Sequence, residues 1–210
     1  MDQQIEDANI KFKHVAYGNK KSINIPDNAT LQQLPVLSTY ANVSPYFGIV
    51  FEDRLVIPPH SETSVYVNIP VDTGIFVLSE KKYKQIDTVE NWPKKFSLYG
   101  SASDGMVYRY FKTGYFHGLP KPEANKISTK VGMINRHGKW FVITKFIFSY
   151  PSFNIFSHKG RNFGEAVEID INNEDLALVS LKNKPSFAGA KPMSHIKQGY
   201  SNTIEMRYGT

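Results

Sequence analysis

Apolar side chains recur at every second position in most of the hydrophobic runs of this chain. In Ser64-Val65-Tyr66-Val67-Asn68-Ile69, alternation puts Val65, Val67 and Ile69 on one side and Ser64 and Asn68 on the other. Ala166–Ile171 repeats the arrangement, with Val167, Ile169 and Ile171 inward and Glu168 and Asp170 toward water. A period of two marks a half-buried β-strand, whereas an amphipathic helix needs apolar residues at i, i+3, i+4 and i+7. No three-turn window carries that helical period. Trp140–Phe148 is apolar on both faces: Trp140, Val142, Phe146 and Phe148 on one, Phe141, Ile143 and Ile147 on the other. This predicts a strand covered on both sides, central in its sheet.

Turn chemistry separates the runs. Asn135-Arg136-His137-Gly138 reads as a hairpin turn between 127–134 and 139–149, with Gly138 free to take the left-handed conformation. Asn172-Asn173-Glu174-Asp175 joins 167–171 to 176–181 in the same way. Glu52-Asp53 predicts a turn between 46–51 and 54–57, and Pro58-Pro59 ends the second run because proline has no N–H for a ladder. Further strands are expected at 9–15, 75–78, 84–89, 95–99 and 107–113, with a short closing strand at 204–206. About a dozen short strands with little helix define an all-β fold. The expected architecture is an antiparallel β-sandwich, either jelly-roll-like or built as two small stacked sandwiches.

A chain of 210 residues is read as a single β-rich domain, 1–210. If it divides, the boundary falls near 118–125, which holds Pro120 and Pro122; 185–199, rich in Gly, Pro, Ser and Lys, is expected to be irregular. Hydrophobic residues at 41% and charged residues at 21% suit an ordinary globular core and exclude a disordered chain. The absence of cysteine removes disulfides, thiol nucleophiles and Cys-ligated zinc. No run approaches the ~18 apolar residues of a membrane helix. Met1–Ile10 carries Asp2, Glu6 and Asp7 in place of a signal peptide's basic and apolar regions, so the chain reads as soluble and cytoplasmic. Charge is uneven: residues 1–105 hold 10 Lys+Arg against 12 Asp+Glu, a net of −2, and residues 106–210 hold 15 against 7, a net of +8.

Chemistry-bearing motifs are sparse. None of His14, His60, His117, His137, His158 and His195 forms a His-x-His or His-x-x-x-His pair, so no metal and no cofactor is expected. Asp170, Glu174 and Asp175 lack calcium-loop spacing and read as a polar turn. Hydrolase-elbow, phosphate-loop and dinucleotide motifs are missing, which leans the reading away from an enzyme. One strand, Tyr108-Arg109-Tyr110-Phe111-Lys112, offers a candidate ligand-binding face. Alternation places Tyr108, Tyr110 and Lys112 together, a stacking platform if exposed, and Arg136, His137 and Lys139 at the 135–138 tip would add anion contacts.

Several strings carry a family resemblance. They are Arg54-Leu55-Val56-Ile57-Pro58-Pro59-His60-Ser61-Glu62, then Val65-Tyr66-Val67, Ile69-Pro70-Val71-Asp72-Thr73-Gly74-Ile75-Phe76-Val77, Phe96-Ser97-Leu98-Tyr99-Gly100 and Asp104-Gly105 through Tyr110. Together they resemble archaeal proteins grouped as domain of unknown function family 432, over about residues 54–182. The resemblance implies no assigned activity; some members are joined to mechanosensitive-channel-like regions, which suits a sensory or interaction domain. The position matching Asp72 is usually acidic in the family. Physically, Asp72 stands between a strand end and Gly74, where a carboxylate caps backbone N–H groups.

Three functions follow as expectations. The first is a non-catalytic, ligand- or partner-binding domain, open to a regulatory role, whose partner is an unknown protein or small ligand. The second is a nucleic-acid or polyanion binder using the basic second half. The third is an enzyme with a dispersed site, acting on carbohydrate. Unpaired edge strands would also allow a homodimer, and no membrane span is expected.

Overall fold

A computed structural model describes residues 10–16, 19–25, 29–37, 43–80, 82–174, 176–193 and 203–207. Among these the chain forms strands and no helix. In chain order they are β1 (Ile10–Ala16), β2 (Asn19–Ile25), β3 (Thr30–Val36), β4 (Tyr46–Ile57), β5 (Ser61–Pro70), β6 (Asp72–Ser79), β7 (Lys82–Val89) and β8 (Phe96–Tyr99). Then follow β9 (Met106–Thr113), β10 (Lys126–Asn135), β11 (Phe141–Ser149), β12 (Ile155–His158), β13 (Arg161–Ile171), β14 (Leu176–Pro185), β15 (Lys191–Pro192) and β16 (Thr203–Arg207).

The strands assort into four sheets, none closed into a barrel. The largest runs β15-β12-β13-β10-β5, with β14 beside β13 and β16 beside β14. A second sheet has the order β11-β4-β9-β8, a third β3-β6-β7, and β1-β2 is a hairpin. The inward rows predicted by alternation are the core: Val65, Val67 and Ile69 from β5, and Val167, Ile169 and Ile171 from β13, are all buried. They join Phe47, Ile49, Phe51 and Ile57 of β4 and Phe146 and Phe148 of β11 in one continuous apolar cluster, so the two largest sheets face each other.

Antiparallel pairing dominates, but β4–β9 and β10–β13 are parallel. Each parallel pair needs a long crossover, and these crossovers carry the chain between sheets. That corrects three local expectations. The 135–138 tip is no hairpin: β10 pairs with β5 and β13, whereas β11 pairs with β4, so the tip steps from one sheet to the other. Glu52-Asp53 makes no reversal, because β4 runs on through an irregularity where its register with β11 shifts between Ile143 and Lys145. β11 ends its sheet rather than lying at the centre, and it is covered on both faces only along Phe146–Phe148; at its start the outer face is open, with Trp140 65% exposed and Val142 beside the exposed Val56. Asn172–Glu174 does lie in an antiparallel connection, with Ile171 opposite Ala177. Asp175 lies outside the described residues, as do residues 194–199. Before that point the segment holds the short β15.

Candidate functional site

Tyr108, Tyr110 and Lys112 do share a face, as alternation requires. Tyr108 is only 3% exposed, its ring lying over Gly48 of the neighbouring β4, where any Cβ would collide with it. Tyr110 is half-buried with its ring 6.3 Å from that of Tyr108, and Lys112 is exposed. The rings therefore form no open stacking surface. At the other tip, Arg136 Nε donates to both carboxylate oxygens of Asp170 (2.9 and 3.2 Å), Lys139 pairs with Glu174, and His137 Nε2 lies 3.9 Å from the same Glu174. These bonds hold the Glu174 carboxyl below its usual range, the Lys139 hydrogen bond contributing most, and raise the Arg136 guanidinium through Asp170. Tyr110 lies opposite Gly48 near the start of β4, whereas Phe141, just past the tip, lies opposite Ile57 at its end. The structure thus places the two halves of the expected patch at opposite ends of one strand.

A different set of charges converges elsewhere. At the seam between the three-stranded and the largest sheet lies a cleft of about 300 Å3. Its walls are residues 33–35 of β3, Asp72 and Thr73 at the start of β6, Pro122, Glu123 and Asn125 of the loop before β10, Lys126 and Ser128 of β10, and Gly160, Arg161 and Asn162 at the β12–β13 turn.

A hydrogen-bonded relay runs along one wall. Lys126 Nζ bonds Glu123 Oε2 at 2.6 Å, and Asn68 Nδ2 donates to Glu123 Oε1. The Ser128 hydroxyl donates to Asn68 Oδ1 (3.0 Å) and accepts from Arg161 Nη2 (2.9 Å), which also donates to the Pro120 carbonyl. Asn68, expected on the wet side of β5, is buried because this relay gives its amide partners on both ends. The Lys126 hydrogen bond holds the Glu123 carboxyl below its usual range, helped by Asn68 and opposed by partial burial. Arg161 also lies 5.1 Å from the Phe163 ring centroid. Its Nε and Nη1 make no hydrogen bond to a described residue.

Asp72 lines the cleft and is 1% exposed. Its Oδ1 accepts the Asn91 backbone N–H at 2.9 Å, the backbone-capping role read from its position before Gly74. Asn91 in turn donates its side-chain amide to Val71 O (3.1 Å) and Thr73 Oγ1 (2.9 Å). Asp72 Oδ2 is buried and accepts no hydrogen bond.

Sequence reasoning missed this cleft. Its residues come from four separated stretches, of which the sequence singles out only Asp72. Two further buried ionic groups are also new. Arg109, on the inward face of β9, stacks on Trp92; burial pushes its guanidinium below the usual range, offset in part by Tyr150, Asp72 and Glu90. Glu165 is wholly buried where the β13–β14 register shifts, and accepts from Asn154 N (3.1 Å), Asn154 Nδ2 (2.8 Å) and Asn183 N. Among the described residues no three His, Asp or Glu side chains are grouped to hold a metal ion, and no helix is long and apolar enough to cross a membrane.

Comparison with curated proteins and with solved structures gives no match. The family model described as "Protein of unknown function (DUF432)" matches residues 6–207, nearly the whole chain and every element that builds the cleft, and the chain belongs to that family.

Proposed function

We propose that the protein is a non-catalytic binding domain whose ligand is a small polar molecule held in the seam cleft. The observation that carries this reading is an arginine held at the cleft wall by one nitrogen, with the rest of its guanidinium bonded to no described residue. Arg161 Nη2 is fixed by Ser128 and the Pro120 carbonyl, and its Nε and Nη1 make no hydrogen bond to a described residue. Donors and acceptors held in place before binding lose little freedom when a ligand arrives.

Hydroxyl chemistry in the cleft also favours binding over catalysis. Ser128 gives its proton to an amide oxygen, which is no general base, and accepts from a guanidinium, so nothing activates it as a nucleophile. A wider groove on the outer face of the largest sheet, of about 930 Å3, has Lys182 paired with Glu168 at 2.8 Å and a floor that includes Gly132 and Ala166; it offers no buried unpaired group among its charged side chains.

The test is thermal unfolding of the full chain against a panel of small polar metabolites, in parallel with Arg161→Ala. A ligand that raises the midpoint of the parent and leaves that of the variant unchanged supports the cleft. Stabilisation that persists undiminished in Arg161→Ala refutes it.

A further inference from the structure

Resting on that reading of the cleft, we infer that its ligand is a small, singly charged carboxylate. The carboxylate accepts from the guanidinium nitrogens that Arg161 leaves open, and neutral amides around the cleft hold the rest of the molecule.

Counting the ionic groups at the seam leaves one cation over. Arg109 lies close enough to Asp72 and Glu90 to feel both charges, and Glu90 also pairs with Lys94 at 2.9 Å. Lys126 and Glu123 pair at 2.6 Å. Arg161 is held by Ser128 and the Pro120 carbonyl, both neutral, and by no acid among the described residues. Its Nε and Nη1 keep accessible surface, unlike Asp72 Oδ2, which is closed to any molecule in the cleft. The seam thus offers a ligand one open positive charge, while each acid there already faces a cation of its own.

Neutral polar groups line the remaining wall. The side-chain amides of Gln33, Asn125 and Asn162 make no hydrogen bond to a described residue. An amide both donates and accepts, so these groups suit a hydroxyl, a carbonyl or the carboxylate itself. Charge-assisted bonds to a guanidinium are the stronger kind, and Arg161 is fixed before the ligand arrives. A phosphate dianion would bring two charges to one open cation, beside the carboxylate of Glu123. An alkylammonium would meet Arg161 as a like charge. A volume of about 300 Å3 stands at the small end of ligand pockets, the scale of a short-chain acid.

Calorimetric titration of the full chain separates charge from shape. The probes are acetate, L-lactate and pyruvate, each beside its neutral amide, then ethylamine, glucose and inorganic phosphate, in a carboxylate-free buffer of low ionic strength. The amide keeps the acid's shape and drops its charge. The expected result is saturable binding of at least one acid, with its amide and ethylamine weaker by about tenfold or more. Arg161→Gln weakens the acid by a similar factor. Asn162→Asp does so too, because it sets a like charge in the cleft while removing no hydrogen bond to a described residue. The unfolding midpoint checks that each variant folds, and Asn162→Asp decides the matter if Arg161→Gln does not.

A neutral amide that binds as tightly as its acid overturns the carboxylate. So does phosphate binding tighter than every acid, undiminished binding in Asn162→Asp, or silence toward every probe. Saturable binding of glucose alone, abolished by Arg161→Gln, overturns the carboxylate and leaves the cleft standing as a ligand site. Acid binding unchanged in both variants overturns both readings together.

Discussion

The guanidinium carbon of Arg109 lies 3.4 Å from the centroid of the Trp92 ring, inside the core. Arg109 Nη2 also points to the Trp92 carbonyl at 3.5 Å, a long contact. Phe47 and Phe111 meet the same indole edge-on at 5.5 and 5.9 Å. The flat cation thus fastens the segment after β7 to the inward face of β9, with Asp72 and Glu90 supplying opposite charge. A lysine has the charge without the plane. Arg109→Lys is expected to lower stability by about 1–3 kcal/mol, and Arg109→Ala, which strips the buried Asp72 of its counter-charge, by about 3–5 kcal/mol. Urea unfolding followed by tryptophan emission measures both; an unchanged midpoint for Arg109→Ala would contradict the assignment.

Glu165 gives a pH signature. Burial raises its carboxyl above the usual range, against the lowering effect of Asn183 and Asn154. A folded-state pKa above the unfolded one means the folded chain holds the proton more tightly. The contribution is therefore fully present below the unfolded value and is lost as pH rises through the folded one. Glu165→Gln removes that slope, and at neutral pH it sets an amide N–H2 against one of the donors. The variant should be less stable by about 1–3 kcal/mol, with the gap from the parent widest at acid pH. Denaturant titrations from mildly acid to neutral pH read this directly, and parallel curves would argue against it.

Gly48 is the hollow that admits Tyr108. An added Cβ would stand within van der Waals radii of the ring, 2.4 Å from both Cδ2 and Cε2. Gly48→Ala is expected to cost about 1–3 kcal/mol through overpacking. A midpoint shift smaller than experimental error would show that the ring moves aside freely.

Asn135 ties the step between the two large sheets. Its buried amide donates to Pro58 O and Lys139 O, both at 2.8 Å, and its Oδ1 accepts from His137 N at 3.0 Å. Asn135→Asp replaces the donor by an acceptor facing carbonyls, which favours the protonated acid. This variant should lose more stability at neutral than at acid pH, whereas Asn135→Ala should lose about 1–3 kcal/mol with no such slope. Thermal melts at two pH values distinguish the two variants.

Alternation made the strands legible, because a period of two fixes which residues share a face. It assigned Val167, Ile169 and Ile171 to the core and kept Tyr108 with Tyr110. It did not say which face is covered: Tyr108 is buried because Gly48, 60 positions away, leaves room for its ring. Nor did local reading foresee that Asp170 and Glu174 would neutralise Arg136 and Lys139. That pairing depends on β10 and β13 ending side by side in parallel, with Asn135 opposite Ile171. Glu52-Asp53 misled for a related reason, since two charged residues at a strand irregularity look like a turn. The cleft was hidden most completely, its parts drawn from residues 33–35, 71–73, 122–128 and 160–162 with no spacing in common. Only the acid before Gly74 left a trace.

Backbone amide shifts of the 15N-labelled chain, recorded while small polar metabolites are added one at a time, test most directly whether the seam is where a ligand sits. Saturable shifts are predicted at Thr73, Asn125, Lys126, Arg161 and Asn162, with the groove around Gly132 and Ala166 silent. Shifts confined to that outer groove, or to the Arg136–Lys139 tip, would contradict the account.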